Sequence, residues 1–207
     1  MAAKLTREMI VGEAFDLLDA EGIDGLTVRA LATRLGVKAP ALYWHVSSKQ
    51  ELLDQMGTEV ARRIADRALA EPFPDTFEAA LRNYALVMRE EYLAHRDGAR
   101  TFSGTRLVDA EVLRRQESAL AHWTAAGVSL DRLTASFEAL TAFVVGFVIE
   151  EQERADETRY SLADRDRAVG PDHPLTVAVG HLAYRPPADR FAAHLGVLVP
   201  ALARPRD

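Results

Sequence analysis

Residues suited to contacting nucleic acid are concentrated between positions 25 and 50. This stretch contains no Asp or Glu, although the 207-residue chain has a net charge of −6. Cationic, hydroxyl and imidazole groups donate hydrogen bonds to phosphate oxygens, and alanine methyl groups pack against thymine methyls. The segment VKAPALYWHV, residues 37 to 46, combines these residue types. We therefore predict a DNA-contacting surface composed of Arg29, Lys38, Ala39, Pro40, Ala41, Tyr43, Trp44, His45 and Lys49.

Residue patterns typical of catalysis are missing from the sequence. There is no cysteine, and the six histidines form no His-Glu-x-x-His pair. A Gly-x-Ser-x-Gly elbow, a Walker loop and a Gly-x-Gly-x-x-Gly turn are also absent. Glu150, Glu151 and Glu153 are clustered, but charge at the end of a helix is typical of a solvated terminus. We expect no catalytic residues, no cofactor and no metal site.

The elements that must position the DNA-contacting residues are three short helices. Apolar spacing and polar N-caps predict a first helix from Thr6 to Gly22 and a second from Thr27 to Gly36. A third short helix is predicted at about 39–45, with Pro40 in its first turn, where the missing N–H costs nothing. Small Ala32 and flexible Gly36 allow the second and third helices to form a helix-turn-helix. The alternative is that Tyr43 and Trp44 are core aromatics of a small helical bundle, and Trp44 would be the more suited of the two to a partly buried position.

The remainder of the chain is also predicted to be helical, which gives an all-α fold class. Ser48 and Glu51 form a capping box that opens a connecting helix reaching about Leu69. Asp75 with Glu78 is expected to open the next helix, which reaches Gly98. Further helices are predicted at about 109–126, 129–153, 174–184 and 188–203, with a charged loop at 154–172. We predict a DNA-binding domain at 1–50, joined through helix 48–70 to a second domain at 71–207.

The sequence gives no indication of export or of a membrane span. The N-terminus lacks the apolar core of a signal peptide. The longest apolar run, Leu140 to Ile149, is about half of the ~20 residues that a membrane span requires. We expect a cytoplasmic protein with no membrane partner.

Three segments resemble the tetracycline-repressor (TetR) family of transcriptional regulators. The helix-turn-helix pattern of that family matches residues 22–54, GIDGLTVRALATRLGVKAPALYWHVSSKQELLD. LRNYALVMREEYLAHRDGARTFSGTR (81–106) and GFVIEEQER (146–154) are similar to ligand-domain segments of its tetracycline-repressor subgroup. The resemblance implies an all-α homodimer with a small DNA-binding head and a larger core that binds a small-molecule effector. It also implies a repressor that leaves a palindromic double-stranded operator when the effector, packed against residues 99–106, shifts helix 48–70.

The resemblance also implies a ligand site, with departures from the subgroup. Two residues that read bases in the subgroup, a glutamine and a threonine, are replaced by Ala39 and Ala41, so a different operator is expected. Phe102 stands where the subgroup has its magnesium-binding histidine. We therefore expect a hydrophobic effector other than magnesium-tetracycline, in an aromatic-lined cavity. The implied ligand-binding residues are Ala65, Tyr84, Met88, Phe102, Thr105, Arg106, Trp123, Phe137 and Glu150.

The predicted dimer interface lies on the helix at 129–153. Phe143, Val144, Phe147 and Val148 present more apolar surface than we expect one surface helix to hide within its own subunit. The alternative is that this helix is the centre of a monomeric bundle. Two alternatives to the repressor also remain open: an architectural DNA-binding protein without an effector and, least favoured, an all-α ligand-modifying enzyme.

Overall fold

The computed structural model describes residues 5–155 and 161–204. Within these ranges every regular element is helical, which confirms the predicted all-α fold. The helices in chain order are α1 Arg7–Gly25, α2 Val28–Arg34, α3 Ala39–Tyr43, α4 Lys49–Ala68, α5 Phe77–Leu93, α6 Gly98–Phe102, α7 Ala110–Arg114, α8 Glu117–Ala125, α9 Leu130–Glu153, α10 Leu162–Val169, α11 Pro174–Ala183 and α12 Pro187–Ala203.

The head formed by α1 to α3 begins its helices where the sequence predicts. The Thr6 hydroxyl accepts a hydrogen bond from the Met9 N–H, and the Thr27 hydroxyl accepts one from the Ala30 N–H. These bonds satisfy N–H groups that lack a partner within the helix. α1 departs from helical geometry at Gly22, close to its predicted end, and continues to Gly25. The head thus depends on local capping signals and on one shared apolar core.

α4 connects the head to the rest of the molecule. The Ser48 hydroxyl accepts from the Glu51 N–H, as the predicted capping box requires. The Glu51 carboxylate, however, accepts from the hydroxyl and N–H of Ser47 instead of returning to Ser48. α4 packs against α1 on one side and against α5, α6 and α7 on the other. A shift of this helix would therefore be felt by both parts of the molecule.

α5 is the central helix of the C-terminal core. It packs against α4, α6, α9 and α12, and its inward face includes the fully buried Leu81 and Ala85. The α10–α11 pair packs mainly against itself, and α11 leaves Leu175, Val179 and Leu182 exposed. The core therefore has a well-packed interior and an apolar outer surface that this chain does not cover.

Three predicted segments differ from the structure. Thr76 caps α5 in place of Asp75, because its hydroxyl accepts from the Ala79 N–H. Residues 109–126, predicted as one helix, form α7 and α8, separated by Arg115 and Gln116. The segment 154–172, predicted as a loop, contains α10, whose Ser161 cap accepts from the Asp164 N–H. The part of that prediction at residues 156–160 lies outside the described residues.

α9 is the one described helix that is long and apolar enough to cross a membrane, by length and composition alone. It has 24 residues, and its most apolar window has a mean hydropathy of 1.6. The central helix of a soluble protein has the same properties, and α9 packs against α5, α6, α8 and α12. Only 33% of the apolar window is buried inside this chain. Much of the outer face of α9 is therefore available for a further contact.

Candidate DNA interface and ligand cavities

α2 and α3 form the predicted helix-turn-helix around a glycine turn. Gly36 has φ of 65°, a left-handed conformation that glycine adopts without a steric penalty. Leu42 and Val46 are buried on either side of the Tyr43, Trp44 and His45 cluster. These anchors fix α3 on the head and leave its opposite face to solvent.

The structure contradicts the alternative that Tyr43 and Trp44 are core aromatics. Trp44 is 89% exposed and Tyr43 is 53% exposed, while His45 is also on the surface. Trp44 is the C-cap residue of α3, and from there its side chain cannot reach the interior that Leu42 and Val46 fill. Burying the apolar surface of an exposed indole against another molecule would be favourable, because that surface is then removed from water. The cluster is therefore placed for contact with another molecule.

The basic residues of this surface have different partners. Arg34 forms an ion pair with Glu13 at 2.5 Å, so much of its charge is neutralised within the head. The Lys49 ammonium donates to the Ile23 carbonyl at 2.6 Å and thereby ties α4 to the end of α1. Arg29 and Lys38 are exposed and have no ion-pair partner in the described part of the chain. Arg29 and Lys38 are thus the cations most available to phosphate.

A first cavity of about 230 Å³ lies between α4, α5, α6 and the segment 103–109. It is lined by five of the residues that the resemblance implied: Ala65, Tyr84, Met88, Phe102 and Thr105. No acidic, basic or imidazole side chain lines it in the described part of the chain; its polar groups are hydroxyls and the Gln116 carboxamide. The cavity is suited to an apolar molecule with a few hydrogen-bonding groups.

A second cavity of about 260 Å³ lies between α8 and α9. Trp123 and Phe137 line it, and Leu69, Tyr84 and Gln116 line both cavities. The two spaces therefore meet at Tyr84 and Gln116. Neither Arg106 nor Glu150 is among the lining residues, so the structure does not bring them to the site. The Arg106 side chain is largely exposed, and Glu150 pairs with Arg154 at 3.2 Å.

Sequence reasoning did not identify Gln116 and Glu138 as lining residues. Gln116 lies between Leu107 and Trp123, where the resemblance gave no residue for the site. Glu138 could have been found from a polar stripe on α9: Thr134, Glu138 and Thr141 recur every three or four residues in an otherwise apolar helix. Each of these three residues lines one of the two cavities.

Tyr84 provides a hydrogen-bonding group where the cavities meet. Its hydroxyl lies 3.3 Å from the Thr141 hydroxyl, and its ring meets Phe137 edge-on at 4.9 Å between centroids. Burial raises the pKa of the Tyr84 phenol, more than the hydrogen bond with Thr141 lowers it. The phenol is therefore protonated at neutral pH and can donate to a ligand.

The segment 103–109, which forms one wall of the first cavity, is hydrogen-bonded to α4. The Asp54 carboxylate accepts from the Arg106 N–H at 3.1 Å, and the Thr58 hydroxyl accepts from the Val108 N–H at 3.0 Å. Between these bonds, Gly57 lies directly against Thr105. A ligand that moves Thr105 must therefore strain or move α4.

A second connection runs from the end of α5 to α1. The Asp19 carboxylate accepts from the Arg96 N–H at 3.0 Å and lies 3.1 Å from the His95 Nδ1. The Ile23 N–H donates to the Asp97 carboxylate at 3.2 Å. The His95 ring stacks on Phe15 at 4.4 Å and meets Phe102, a lining residue of the first cavity, edge-on at 5.8 Å. The head is thus fastened to the cavity wall at two places.

The packing argument for the predicted dimer residues is wrong. Val144 and Val148 are 0% exposed in a single chain, and Phe147 is buried against Phe191 at 5.0 Å. Phe143 is partly buried and stacks on the same Phe191 ring at 5.7 Å. Phe143 and Phe147 pack inside the subunit against Phe191 of α12, and Val144 and Val148 are buried among the helices that pack on α9. The exposed surface of α9 includes instead a row of small residues, Ala135, Ala139, Ala142 and Gly146.

In the described part of the chain, no group of three or more His, Cys, Asp or Glu side chains is placed to hold a metal ion. Phe102 contributes no ligand atom to the first cavity, and the described lining of that cavity includes no carboxylate or imidazole. Magnesium requires oxygen donors in near-octahedral geometry, usually including a carboxylate. The residues of this cavity do not fit a magnesium ion.

Comparison with known proteins agrees with this architecture over most of the chain. Residues 10–56 match the family described as bacterial regulatory proteins, tetR family, and residues 71–195 match the tetracyclin repressor-like C-terminal domain. The chain is 38% identical to the tetracycline repressor protein class D of Escherichia coli over 173 residues, which cover 84% of this chain and 76% of that protein.

Solved structures give the same assignment. Apo ActR from Streptomyces coelicolor superposes with a TM-score of 0.82 at 25% identity, covering 98% of this chain and 97% of that one. A TetR variant from Acinetobacter baumannii AYE in complex with minocycline superposes with a TM-score of 0.75 at 30% identity, covering 98% and 100%. The chain is therefore a member of the TetR family of transcriptional regulators, which are DNA-binding repressors controlled by small-molecule ligands.

Proposed function

We propose that this repressor acts as a homodimer in the cytoplasm and leaves a palindromic operator when a hydrophobic molecule, other than magnesium-tetracycline, fills the two cavities. The observation that carries this proposal is the lining of the first cavity. Hydrophobic and hydroxyl-bearing side chains surround a space that extends past Tyr84 into a second aromatic chamber. Such a site favours a polycyclic or otherwise elongated ligand.

The DNA-binding role is assigned to the exposed face of α3 and its neighbours. Tyr43, Trp44 and His45 are solvent-exposed beside Arg29 and Lys38. Ala41 is exposed and Ala39 partly so, and both lie in the first turn of α3, where a recognition helix contacts base edges. Methyl groups at these positions favour thymine contacts over the bidentate adenine contacts of a glutamine. Lys49 contributes positive charge while it also fastens α4 to Ile23.

Magnesium-tetracycline is disfavoured because its polar groups would enter without partners. Phe102 offers no donor atom for the ion, and Ala65 has no polar atom in its side chain. Each buried polar group left unpaired costs about 1–3 kcal/mol. Two or three such groups would lower the affinity by several orders of magnitude.

Release follows from the contacts between the cavity wall and α4. A ligand that pushes the Thr105 segment also moves Asp54 and Thr58, which are hydrogen-bonded to that segment. α4 carries the head, so the spacing of the two recognition helices changes and no longer matches successive major grooves. To change occupancy from 1:99 to 99:1, the effector must bind the released state more tightly by about 5.5 kcal/mol.

Dimerisation is assigned to the outer faces of α9 and α12. α9 presents the small residues Ala135, Ala139, Ala142 and Gly146, and α12 exposes Ala193, Gly196 and Val197. Small residues allow close approach of helices from a second copy across a two-fold axis. The exposed apolar side chains of α11 provide further apolar surface for a contact with the second copy.

The proposal is tested by releasing the protein from its selected operator with tetracycline and magnesium, with and without EDTA. We expect no release at micromolar tetracycline in either condition, and release by hydrophobic aromatic compounds that EDTA does not change. Tetracycline-driven release that EDTA abolishes would show that a metal site exists and would overturn the proposed effector class. Failure to select any operator from random DNA would overturn the proposed DNA-binding mode.

A further inference from the structure

We propose that the second cavity selects the positively charged end of the effector, so that the natural ligand is an amphipathic organic cation with a basic or quaternary nitrogen next to an aromatic body. This inference rests on the proposed function, because it assigns a chemical class to the ligand of the same site. It is carried by one carboxylate and by the aromatic rings around it.

Glu138 is the carboxylate that lines the second cavity. Among the described residues it has neither an ion-pair partner nor a hydrogen-bond partner. Thr134 precedes it by one helical turn and lines the same space. Glu138 is exposed, so it lies at the solvent side of this apolar chamber, where a carboxylate without a counter-charge attracts a cation and repels an anion.

Aromatic rings surround the space next to Glu138. Tyr84, Trp123 and Phe137 line the chamber, and Tyr84 and Phe137 meet edge-on at 4.9 Å. Phe77 connects the cluster, since its ring lies 5.5 Å from Trp123 and 6.2 Å from Phe137. Aromatic faces attract alkylammonium groups through the ring quadrupole, most strongly when water is excluded. The chamber thus combines the two groups that recognise an organic cation.

The cluster already interacts with a cation on one side. The Arg132 guanidinium lies over Phe77, 5.6 Å from the ring centroid. Arg132 does not neutralise Glu138, because the two residues are six positions apart on α9, which corresponds to about 9 Å along the helix axis. It is not among the residues that line the chamber. The cation position beside Glu138 is therefore separate from that of Arg132.

The first cavity has no charged lining residue in the described part of the chain. The part of the ligand that occupies it is therefore expected to be uncharged. An apolar ring system fits there, with Tyr84 and Gln116 able to bond its polar atoms. The charged end then extends past Tyr84 towards Glu138. An acidic ligand would place its charge against this carboxylate.

The chain offers a direct reporter for this chamber. It has two tryptophans, and Trp44 is on the DNA-binding surface, so Trp44→Phe leaves Trp123 as the only indole. Benzyltrimethylammonium and its uncharged carbon isostere, neopentylbenzene, are titrated into this variant while Trp123 fluorescence is recorded. The same titrations are repeated with Glu138→Gln added. The matched control is Glu117→Gln, which removes an exposed carboxylate from the first turn of α8 that does not line either cavity.

We expect Glu138→Gln to raise the Kd of benzyltrimethylammonium by about 3- to 5-fold, the upper range for an exposed charge pair, and to leave the Kd of neopentylbenzene unchanged. Glu117→Gln should change neither constant by more than about twofold. Equal effects of Glu138→Gln on both probes, or no effect on either, would overturn the inference. Operator binding is measured separately with the wild-type chain, so loss of the proposed function would be seen there and not in these titrations.

Discussion

Replacing Gly57 by alanine should weaken operator binding by displacing α4 from the cavity wall. A Cβ atom at this position would lie 2.0 Å from the Thr105 Oγ1, 2.8 Å from its Cβ and 3.1 Å from its Cγ2. Rotation of the Thr105 side chain moves Oγ1 and Cγ2 but leaves the Cβ contact in place. Relief therefore requires that α4 and the Thr105 backbone move apart by several tenths of an ångström.

The size of the effect follows from two opposing contributions. Overpacking of this kind costs about 1–3 kcal/mol. If separation of α4 from the segment relieves the overlap, the same free energy favours the released conformation and raises the operator Kd by about 5- to 150-fold. Alanine in a helix also gains about 1 kcal/mol relative to glycine, so the net change in the free energy of unfolding is smaller than the change in binding.

The assay is operator affinity measured together with urea unfolding. Gly12→Ala is the matched control, because the new Cβ in α1 has no atom within 4 Å. Gly12→Ala should gain about 0.5–1 kcal/mol of stability and keep the wild-type operator Kd. Adding Thr105→Ala to Gly57→Ala should restore part of the affinity, and the double-mutant cycle measures that coupling. Wild-type affinity in Gly57→Ala, with no coupling to Thr105, would refute the assigned route from cavity to head.

Three further predictions concern the head, its acid stability and the dimer. Asp19→Ala removes the acceptor for the exposed Arg96 N–H and the partner of His95, and should lower the free energy of urea unfolding by about 0.5–1.5 kcal/mol. Asp16→Ala on the same helix, also exposed but with no hydrogen bond to the end of α5, should cost less than about 0.5 kcal/mol; equal costs would contradict the assigned connection between Asp19 and Arg96. The side-chain and backbone hydrogen bonds from Ser47 lower the pKa of Glu51, so its stabilising contribution is complete above its ordinary pKa of 4.5 and is lost as pH falls through the lower folded value. Glu51→Gln should therefore flatten the acid limb of the stability curve, and an unchanged limb would argue against this bond in solution. Val197→Glu places a charge at a position that is 74% exposed in one chain, and it should sediment as a monomer with reduced operator affinity; a dimer would place the interface elsewhere.

The fold and the DNA-binding head could be predicted from the sequence because their signals are local. Thr6 and Thr27 cap their helices, and Gly36 makes the turn, through bonds that span only a few residues. The acid-free stretch between 25 and 50 is likewise a property of consecutive residues. Local signals fail where two neighbouring residues can each serve as a cap, as at Asp75 and Thr76, or where a helix divides without a proline or glycine, as at Arg115.

The ligand site and the outer surface depend on contacts between distant segments, which the sequence does not contain. Tyr84 and Gln116 are far apart in the sequence and line both cavities only because the packing of α5 and α8 on α9 brings them to the same space. In the sequence, Glu138 cannot be distinguished from any other surface glutamate of a helix. Only the packing of α8 on α9 forms a chamber beside it. Trp44 and Val144 show that helical spacing alone does not predict burial. The spacing places an apolar residue on one face of a helix, but a neighbouring helix decides whether that face is buried. The helices packed on α9 bury Val144, and nothing in the described chain covers Trp44, so one is core and the other is free to bind.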